Sequence, residues 1–263
     1  QTRLLLAPKR DRRLPVKLLV LAAGYATRLR PLTDNQAKPL LPVAGRPMLE
    51  HVLEKFADCP AIDAIYIVTN HRFAPNFQSW AEAHGGVFAG RPVQVIDDGT
   101  LSNDDRLGAI GDIHFVMHKV ALDDDLIVVA GDNLFSGALT EYVAAAQQKG
   151  ILVGAYDVKD LEQIKRYNNL QLDTDGKILF FEEKPQVPIS TLTAIALYYY
   201  PRNSLPIINQ YIGEGNNPDQ PGRLIQWLYP RVACYTYMIK GQWLDIGSLE
   251  TYEQAQQLFG GAA

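Results

Sequence analysis

The sequence has little cysteine, no long apolar run and no excess of positive charge. Its two cysteines, Cys59 and Cys234, stand far apart in the 263 residues, which favours neither a disulfide framework nor a zinc site and indicates a reducing compartment. No apolar run reaches the roughly 18 residues of a membrane-spanning helix, so no membrane partner is predicted. The net charge of −4 argues against a nucleic-acid partner, because phosphate neutralisation needs a basic surface. These absences predict a cytoplasmic protein.

Two common nucleotide-binding signatures are also missing. No Gly-Lys-Ser or Gly-Lys-Thr tripeptide occurs, which excludes a Walker-A loop. The first candidate loop lacks G-x-G-x-x-G, and the second predicted strand ends in Val68-Thr69-Asn70 without an acidic residue, which argues against a dehydrogenase-type dinucleotide site. The sequence has no hexapeptide repeats either, so we do not expect a β-helix domain with a second activity.

Strand and helix patterns alternate through the first part of the chain. The predicted strands are 17–23, 64–69, 92–96, 125–130 and 151–156, and the predicted helices are 47–57, 77–84, 108–119 and 138–149. This alternation predicts an α/β fold, a Rossmann-like, doubly wound, mixed and mostly parallel sheet with crossover helices.

The pattern changes after residue 157. Segments 170–172 and 178–182 flank the turn sequence DTDGK, which predicts a hairpin. The remaining predicted elements are strands at 194–200 and 232–239 and helices at 204–212, 222–229 and 249–258. We expect one domain over residues 17–258 in two halves, 17–157 and 158–258, with an extension at 1–16 and a tail at 259–263.

Chemically useful residues follow the first predicted strand, in the string LAAGYATRLRPLTDNQAKPLL. Ligands of an open parallel sheet bind beyond the carboxyl ends of its strands. The small residues Ala22, Ala23 and Gly24 let backbone N–H groups approach a phosphate closely. Arg28 and Lys38 add the positive charge that a triphosphate needs. A glycine turn with surface charges is the simpler alternative for the loop.

Two aspartates, Asp132 and Asp245, are each compatible with two roles. Asp132 follows a predicted strand directly, in the sequence Gly-Asp-Asn, and could be a helix N-cap or a metal ligand. Asp245, in WLDIGS, could cap the helix that begins near Ser248 or bind the same metal. The neighbouring Trp243 could be a core residue or a wall of the ligand site.

Two further segments carry candidate residues. The sequence FEEKP, with Glu183 and Lys184, could be a strand end with a solvated ion pair, or a site in which the lysine offsets the charge of an approaching phosphate. The sequence LGAIGD, with Gly108, opens a predicted helix after the third predicted strand.

Together these strings resemble the sugar-phosphate nucleotidylyltransferases, also called NDP-sugar pyrophosphorylases. The signature of that family is approximately LAAGxGTRLxPLTxxxxKPLLPVxGKPMI, and this chain has LAAGYATRLRPLTDNQAKPLLPVAGRPML. The chain also resembles the family in its EEKP and W-x-D-x-G-[ST] elements and, loosely, in the LGTAG-type loop at 107–112. The likeness spans residues 17–258 and is to the single-domain form found in glucose-1-phosphate thymidylyltransferases.

The resemblance implies an enzyme that condenses an NTP with a sugar 1-phosphate, giving an NDP-sugar and pyrophosphate with Mg²⁺ as cofactor. It implies a nucleotide-binding first half, an acceptor-binding second half and a possible homo-oligomer. The residue roles that it implies are catalysis by Arg28, Lys38 and Lys184, nucleotide binding by Ala22, Ala23, Gly24, Gly108 and Asp132, acceptor binding by Glu183, Lys184, Asn168 and Trp243, and metal binding by Asp132 and Asp245.

The chain departs from the family at several positions. Ala26 replaces a usual glycine, Arg46 a frequent lysine, and the 107–112 loop lacks the glutamine of the thymidylyl-specific subgroup. Asn168 and Ala196 replace glycines on the acceptor side. The base and the acceptor therefore stay open. Two alternatives remain: a cytidylyltransferase acting on an alcohol phosphate such as phosphocholine or glycerol phosphate, and a catalytically silent regulatory subunit that binds a nucleotide sugar.

Overall fold

The computed structural model describes residues 15–261, so the predicted 1–16 extension lies almost entirely outside the described residues. The strands are β1 (Val16–Leu21), β2 (Pro42–Val43), β3 (Arg46–Pro47), β4 (Ile62–Thr69), β5 (Val87–Phe88), β6 (Arg91–Asp97), β7 (Asp125–Ala130), β8 (Asn133–Phe135), β9 (Leu152–Asp157), β10 (Asn168–Leu172), β11 (Ile178–Glu183), β12 (Leu192–Tyr200), β13 (Tyr235–Met238) and β14 (Trp243–Asp245). The helices are α1 (Met48–Glu54), α2 (Ala74–Ala83), α3 (Ala109–Lys119), α4 (Thr140–Lys149), α5 (Leu161–Ile164), α6 (Pro206–Gly213), α7 (Pro221–Leu228) and α8 (Leu249–Gly260).

One mixed sheet of eight strands forms the centre, in the order β13-β9-β12-β7-β1-β4-β6-β5. Strands β7, β1, β4 and β6 run parallel, as the alternating pattern predicts. Strand β12 is inserted antiparallel between β7 and β9. The predicted α/β fold, with its doubly wound and mostly parallel sheet, is confirmed.

A hydrophobic core lies on each face of this sheet. One core contains Met48 of α1, Phe77 of α2 and Tyr142 of α4. The other contains Ile113 of α3 and Ile208 of α6. Both faces are covered because the strands are apolar on both sides, the usual condition of strands buried in parallel sheets. Both cysteines are buried and free. Within residues 15–261, no helix combines the length and apolarity needed to cross a bilayer.

The structure differs from the predicted elements along the whole chain, in the bounds of some helices and strands and in several short strands. The helix predicted at 47–57 ends at Glu54, and the helix predicted at 77–84 begins at Ala74. The strand predicted at 232–239 is only Tyr235–Met238, and the closing helix continues to Gly260, into the predicted tail. The predicted hairpin is present as the antiparallel pair β10–β11. The short pair β8–β14 was not predicted, because three-residue strands are too short to show a period in sequence.

The carboxyl ends of the parallel strands place four loops at one edge of the sheet. These are the loops after β1, β4, β6 and β7, and all four begin with polar or small residues. The strand pair β8–β14 lies beside this edge, because only two residues separate the end of β7 from the start of β8. The candidate residues of distant sequence segments therefore share one edge of the fold.

Candidate active site

The loop after β1 is held to the neighbouring strand by backbone hydrogen bonds. The N–H of Ala22 donates to the carbonyl of Val68, and the side-chain amide of Asn70 donates to the carbonyl of Ala23, both at 2.9 Å. Ala22 and Ala23 are buried, whereas Gly24 is exposed. The end of the strand is thus rigid up to Gly24, where an exposed backbone is available to a ligand.

Ala26 occupies a conformation that normally favours glycine. Its backbone has φ 47° and ψ 39°, in the left-handed region, which costs an L-residue roughly 1–2 kcal/mol. The hydroxyl of Thr33 donates to the Ala26 carbonyl at 2.9 Å and helps to hold this turn. The position therefore keeps the backbone geometry of a glycine although the residue is alanine.

Lys38 reaches across to the loop after β7. A Cβ at Gly131 would lie 3.0 Å from Cγ of Pro39, so the absence of a side chain at Gly131 lets Pro39 pack closely. This contact positions the neighbouring Lys38, which forms an ion pair with Asp132 and donates to the carbonyl of Ile246 at 2.7 Å. One lysine therefore joins three segments of the site.

Asp132 and Asp245 are brought together by the short ladder of β8 and β14. Asp245 lies opposite Asn133 in this ladder. The Asn133 side-chain amide donates to Oδ1 of Asp132 at 3.0 Å and to Oδ1 of Asp245 at 3.3 Å. The N–H of Ile246 also donates to the carbonyl of Asp132, at 3.1 Å. Two carboxylates from distant parts of the sequence thus share one hydrogen-bond donor.

Neither aspartate is a helix cap. Asp132 is followed by the strand β8, so no helix N-terminus is available to it. The N-cap of α8 is Ser248, whose hydroxyl accepts from the N–H of Thr251 in a capping box. The capping reading is therefore wrong for both positions, and the carboxylates remain available to a ligand.

The Asp245 carboxyl group is harder to ionise because it is buried beside a second acid. Burial, followed by the negative charge of Asp132, raises the pKa of Asp245 to about 6, and the charges of Lys38 and Arg28 act in the opposite direction. Arg28 is itself exposed at the rim. A further cation beside the pair would stabilise the ionised form of both carboxylates.

The donor set fits a hard divalent cation. Among residues 15–261 no group of three or more His, Cys, Asp or Glu side chains surrounds a common point. Carboxylates alone would thus give two protein ligands, and nucleotide phosphates and water could complete the shell. Mg²⁺ is usually bound in this manner, through one or two carboxylates and the phosphates of the substrate.

A cavity of about 390 Å³ extends from these carboxylates along the edge of the sheet. It is lined by Leu21, Ala23, Gly24, Asn103, Arg106, Gly108, Ala109, Asp112, Ala130, Asp132, Asn133, Ala196, Asp219, Pro221 and Asp245. Of the residues predicted to bind nucleotide, all but Ala22 contribute to this lining. The cavity is the natural place for a nucleotide at the switch between strands.

Gly108 allows the closest backbone approach at this cavity. Its φ is +80°, and a Cβ would lie 2.7 Å from Cα of Asp219 and 2.7 Å from the carbonyl oxygen of Pro218. The first N–H groups of α3, of Ala109 and Ile110, donate to the carbonyls of Asp219 and Pro218 at 3.0 and 2.8 Å. Glycine is therefore required at Gly108 because the 218–219 segment caps the helix.

Of the residues predicted to bind the acceptor, Asn168 and Glu183 lie in the β10–β11 hairpin, Lys184 directly follows it and Trp243 lies in β14, and none of them lines that cavity. Lys184 is exposed and has a left-handed backbone, φ 51°, held by its N–H, which donates to the carbonyl of Tyr167 at 2.8 Å. Burial raises the pKa of Glu183 to about 7, against the opposing charges of Lys184 and Arg223. Oε2 of Glu183 is buried without a hydrogen-bond partner.

Asn168 and Trp243 have structural partners in the fold. Oδ1 of Asn168 accepts from the N–H of Ala194 at 2.7 Å, and its amide donates to the carbonyl of the same residue at 3.0 Å. The indole N–H of Trp243 donates to Oδ1 of Asn133 at 2.8 Å, and its ring packs between Tyr156 and Tyr167. Trp243 therefore supports the residue that holds the two aspartates.

Three polar residues of the site were missed from the sequence. Asn133 bridges the two aspartates, and its neighbour in the Gly-Asp-Asn string was the only visible signal. Asp98 and Asp112 are buried next to each other, and Asp112 lines the cavity. An acid in the first turn of a helix is ordinarily an exposed partner of the helix dipole, so Asp112 did not stand out.

Comparison with known proteins assigns the chain to a family. The family model described as "Nucleotidyl transferase" matches residues 17–260. The UTP–glucose-1-phosphate uridylyltransferase of Synechocystis is 29% identical over 91% of this chain and 62% of its own length. The glucose-1-phosphate thymidylyltransferase of Streptomyces antibioticus is 28% identical over 89% of this chain and 63% of its own. The chain thus spans less than two thirds of both curated relatives.

Solved structures agree with the fold. A UDP-glucose pyrophosphorylase complexed with UDP-glucose superposes with a TM-score of 0.78 at 20% identity, covering 95% of this chain and 100% of that one. The two curated relatives are named for different bases, uracil and thymine. The likeness therefore identifies the fold and family and leaves the choice of base to the residues of this chain.

Proposed function

The chain belongs to the nucleotidyl transferase family, and on that premise we propose that it transfers a nucleoside monophosphate from an NTP to a sugar 1-phosphate, releasing pyrophosphate in a Mg²⁺-dependent reaction. The observation that carries this proposal is that Asp132 and Asp245 line a nucleotide-sized cavity and that Lys38 forms an ion pair with Asp132. Two carboxylates and a lysine around one point are suited to phosphate chemistry.

In this reaction an oxygen of the acceptor phosphate attacks the α-phosphorus of the NTP. The O–P bond to the acceptor forms as the bond to the β-phosphate oxygen breaks, and pyrophosphate leaves with that electron pair. The acceptor is already an anion, so no side chain has to remove a proton. The protein has to position two negatively charged groups in line and reduce their repulsion.

Different residues of the site are assigned to the metal, the phosphates and the nucleoside. Asp132 and Asp245 would hold Mg²⁺, which supplies Lewis-acid stabilisation of the phosphate charge when bound. Lys38 and Arg28 would contact the phosphates of the NTP, and the exposed backbone at Gly24 would approach them. Ala23 and Gly108 would line the nucleoside.

Lys184 and Glu183 would hold the acceptor. The exposed ammonium group of Lys184 would bind the acceptor phosphate, and the unpartnered Oε2 of Glu183 would accept a hydrogen bond from a hydroxyl. The left-handed backbone at Lys184 supports this assignment, because strain of this kind concentrates at functional sites. The homo-oligomeric state stays a prediction.

The test is pyrophosphate release from a panel of five NTPs, each combined with several sugar 1-phosphates, phosphocholine and glycerol 3-phosphate, in Mg²⁺. We expect turnover with a sugar 1-phosphate and none after chelation by EDTA. Turnover only with an alcohol phosphate would replace the acceptor class, and binding without turnover in every combination would favour a regulatory subunit.

The decisive variant is Asp132→Asn, with Asp58→Asn as control because Asp58 is an exposed aspartate of a surface loop. We expect the first to lower kcat by about a hundredfold or more with an unchanged circular dichroism spectrum, and the second to match the wild type. Near-normal turnover by folded Asp132→Asn protein would refute the metal assignment.

A further inference from the structure

Two buried acidic residues, Asp98 and Asp112, lie next to each other, and Asp112 lines the nucleotide cavity. Asp112 lies in the first turn of α3, is 6% exposed and lines the cavity. Asp98 follows β6, is 8% exposed and lies within hydrogen-bonding reach of the Asp112 carboxyl group. None of the roles assigned above uses either residue.

The hydrogen bonds of this pair leave two buried carboxyl oxygens without a partner among residues 15–261. Oδ1 of Asp98 accepts from the N–H and the hydroxyl of Thr100, both at 2.7 Å. Oδ2 of Asp98 and Oδ1 of Asp112 are buried and have no hydrogen-bond partner in the structure. Two ionised carboxylates side by side and away from water repel each other strongly, which favours a proton on the Asp112 carboxyl group.

The charged groups around the pair do not remove this need for a proton. The cavity also contains Asp132, Asp219 and Asp245, whereas Arg106 is its only basic lining residue among residues 15–261. The guanidinium group of Arg106 is engaged with Asp219 at 3.1 Å. Burial, followed by the charge of Asp98, raises the pKa of Asp112 to about 8. The protonated form of the Asp112 carboxyl group is therefore favoured at neutral pH.

A purely structural role explains this pair poorly. Buried acid pairs are expensive, and apolar residues of similar size often stabilise a fold equally well or better. Asp112 does not cap its helix, because the first N–H groups of α3 donate to the carbonyls of Pro218 and Asp219. What distinguishes Asp112 from a core residue is its place on the wall of the cavity.

We propose that Asp112 is the residue that reads the nucleobase of the NTP, accepting a hydrogen bond from an N–H of the base, while Asp98 holds it in place through the proton that Asp112 carries. This inference rests on the proposed function, which assigns the phosphates to Lys38, Arg28 and the metal-binding pair Asp132 and Asp245. The proton keeps Asp112 neutral, so it can accept from the base without repelling the phosphates.

The experiment compares the wild type with Asp112→Ala, Asp112→Asn and Asp104→Ala. Asp104 is an exposed acid of the loop that connects β6 to α3, so its variant is the matched control. For each protein, kcat and KM are measured with ATP, CTP, GTP, UTP and dTTP at a fixed acceptor, and dissociation constants for the same nucleotides are measured by titration calorimetry.

We expect the wild type to prefer a base and Asp112→Ala to reduce that preference about tenfold or more, through KM and the dissociation constant rather than kcat. Asp112→Asn keeps a carbonyl oxygen in place and should retain most of the preference. Asp104→Ala should match the wild type. A second apolar variant, Asp112→Val, fills more of the space of the aspartate side chain than alanine does, and it replaces the alanine variant if the latter does not fold.

Two outcomes separate this inference from the proposed function. If the wild type turns over and a folded Asp112→Ala or Asp112→Val protein keeps the same ratio of kcat/KM values among the five NTPs, the base-reading role is wrong. If no NTP supports turnover, the proposed function fails, and the dissociation constants alone decide whether Asp112 sets nucleotide preference. Equal weakening of all five nucleotides would assign Asp112 a structural role.

Discussion

Lys38 and Asp132 form an ion pair that spans the loop after β1 and the loop after β7. The lysine also donates to the carbonyl of Ile246 at 2.7 Å, so its ammonium group lies among the groups proposed to hold the metal and the triphosphate. A cation bound by Asp132 must share that carboxylate with Lys38. The pair therefore links metal binding to the position of the lysine.

The first prediction concerns this competition. Replacing Lys38 with methionine should lower kcat by about a hundredfold or more, since a charge that stabilises the phosphates is lost. The same change should tighten Mg²⁺ binding to the nucleotide-free protein a few-fold, because a competing positive charge leaves Asp132. Pyrophosphate release and calorimetric titration with MgCl₂ measure the two effects. Lys119→Met, at an exposed lysine, is the control, and weaker Mg²⁺ binding by Lys38→Met would contradict Asp132 as a ligand.

A second prediction separates two glycines of the cavity. A Cβ at Gly108 would collide with the backbone of Pro218 and Asp219, and its φ is +80°, whereas a Cβ at Gly24 meets nothing within 4 Å. Gly108→Ala should therefore lower the free energy of unfolding by about 2 kcal/mol or more. Gly24→Ala should leave it unchanged within about 0.5 kcal/mol and raise the KM for NTP.

Urea unfolding and steady-state kinetics measure these two variants. Gly213→Ala is a suitable third variant, since Gly213 also has open space and no positive φ and lies outside the cavity lining. It should change neither quantity. A stable Gly108→Ala protein would show that the 218–219 segment does not limit this position.

The sequence predicts the parallel half of the fold well because its strands are short, mostly apolar segments that alternate with helical patterns. Strand β7 has the predicted bounds, and α3 differs by one residue. The antiparallel insertion of β12 could not be predicted, since its apolar run resembles that of a parallel strand buried on both faces. Sheet order there depends on long-range packing.

The candidate site was predictable where the motif is contiguous and not where it depends on pairing. Lys38 and Asp132 lie in recognisable sequence motifs. Their contact depends on the close packing of Pro39, the neighbour of Lys38, against Gly131, the neighbour of Asp132. The role of Asn133 depends on the three-residue ladder with β14, which has no local signature. The pairing of Asp98 with Asp112 is likewise a property of the folded chain.

A third prediction concerns Asn168, which the resemblance assigns to the acceptor. Its side chain already accepts from the N–H of Ala194 and donates to its carbonyl. Asn168→Ala leaves these buried groups unpaired and should lower the free energy of unfolding by about 1–3 kcal/mol, with the acceptor KM changed less than about threefold. Urea unfolding and kinetics with the best acceptor check this, with the exposed Asn203→Ala as control. A large rise in acceptor KM at unchanged stability would support a direct contact instead.

The last prediction is the pH dependence of stability that the acid pair imposes. Folding raises the pKa of Asp112 to about 8, whereas an aspartate in an unfolded chain titrates near about 3.9. Between these values the folded state holds a proton that the unfolded state releases, so stability must fall as the pH rises through this window and level off above it.

Asp112→Asn removes this titration while keeping the shape of the side chain. The free energy of unfolding of the wild type, minus that of the variant, should therefore decrease by up to about 1.4 kcal/mol per pH unit from pH 5 to pH 8. Urea unfolding of both proteins at each pH gives the difference directly, and Asp104→Ala supplies a control whose difference from the wild type should not follow pH in this way. The opposite slope would mean that Asp112 is ionised in the folded protein, because only an acid stabilised as its anion gains stability with rising pH. A flat difference would place the proton elsewhere and remove the reason for treating Asp112 as a neutral acceptor.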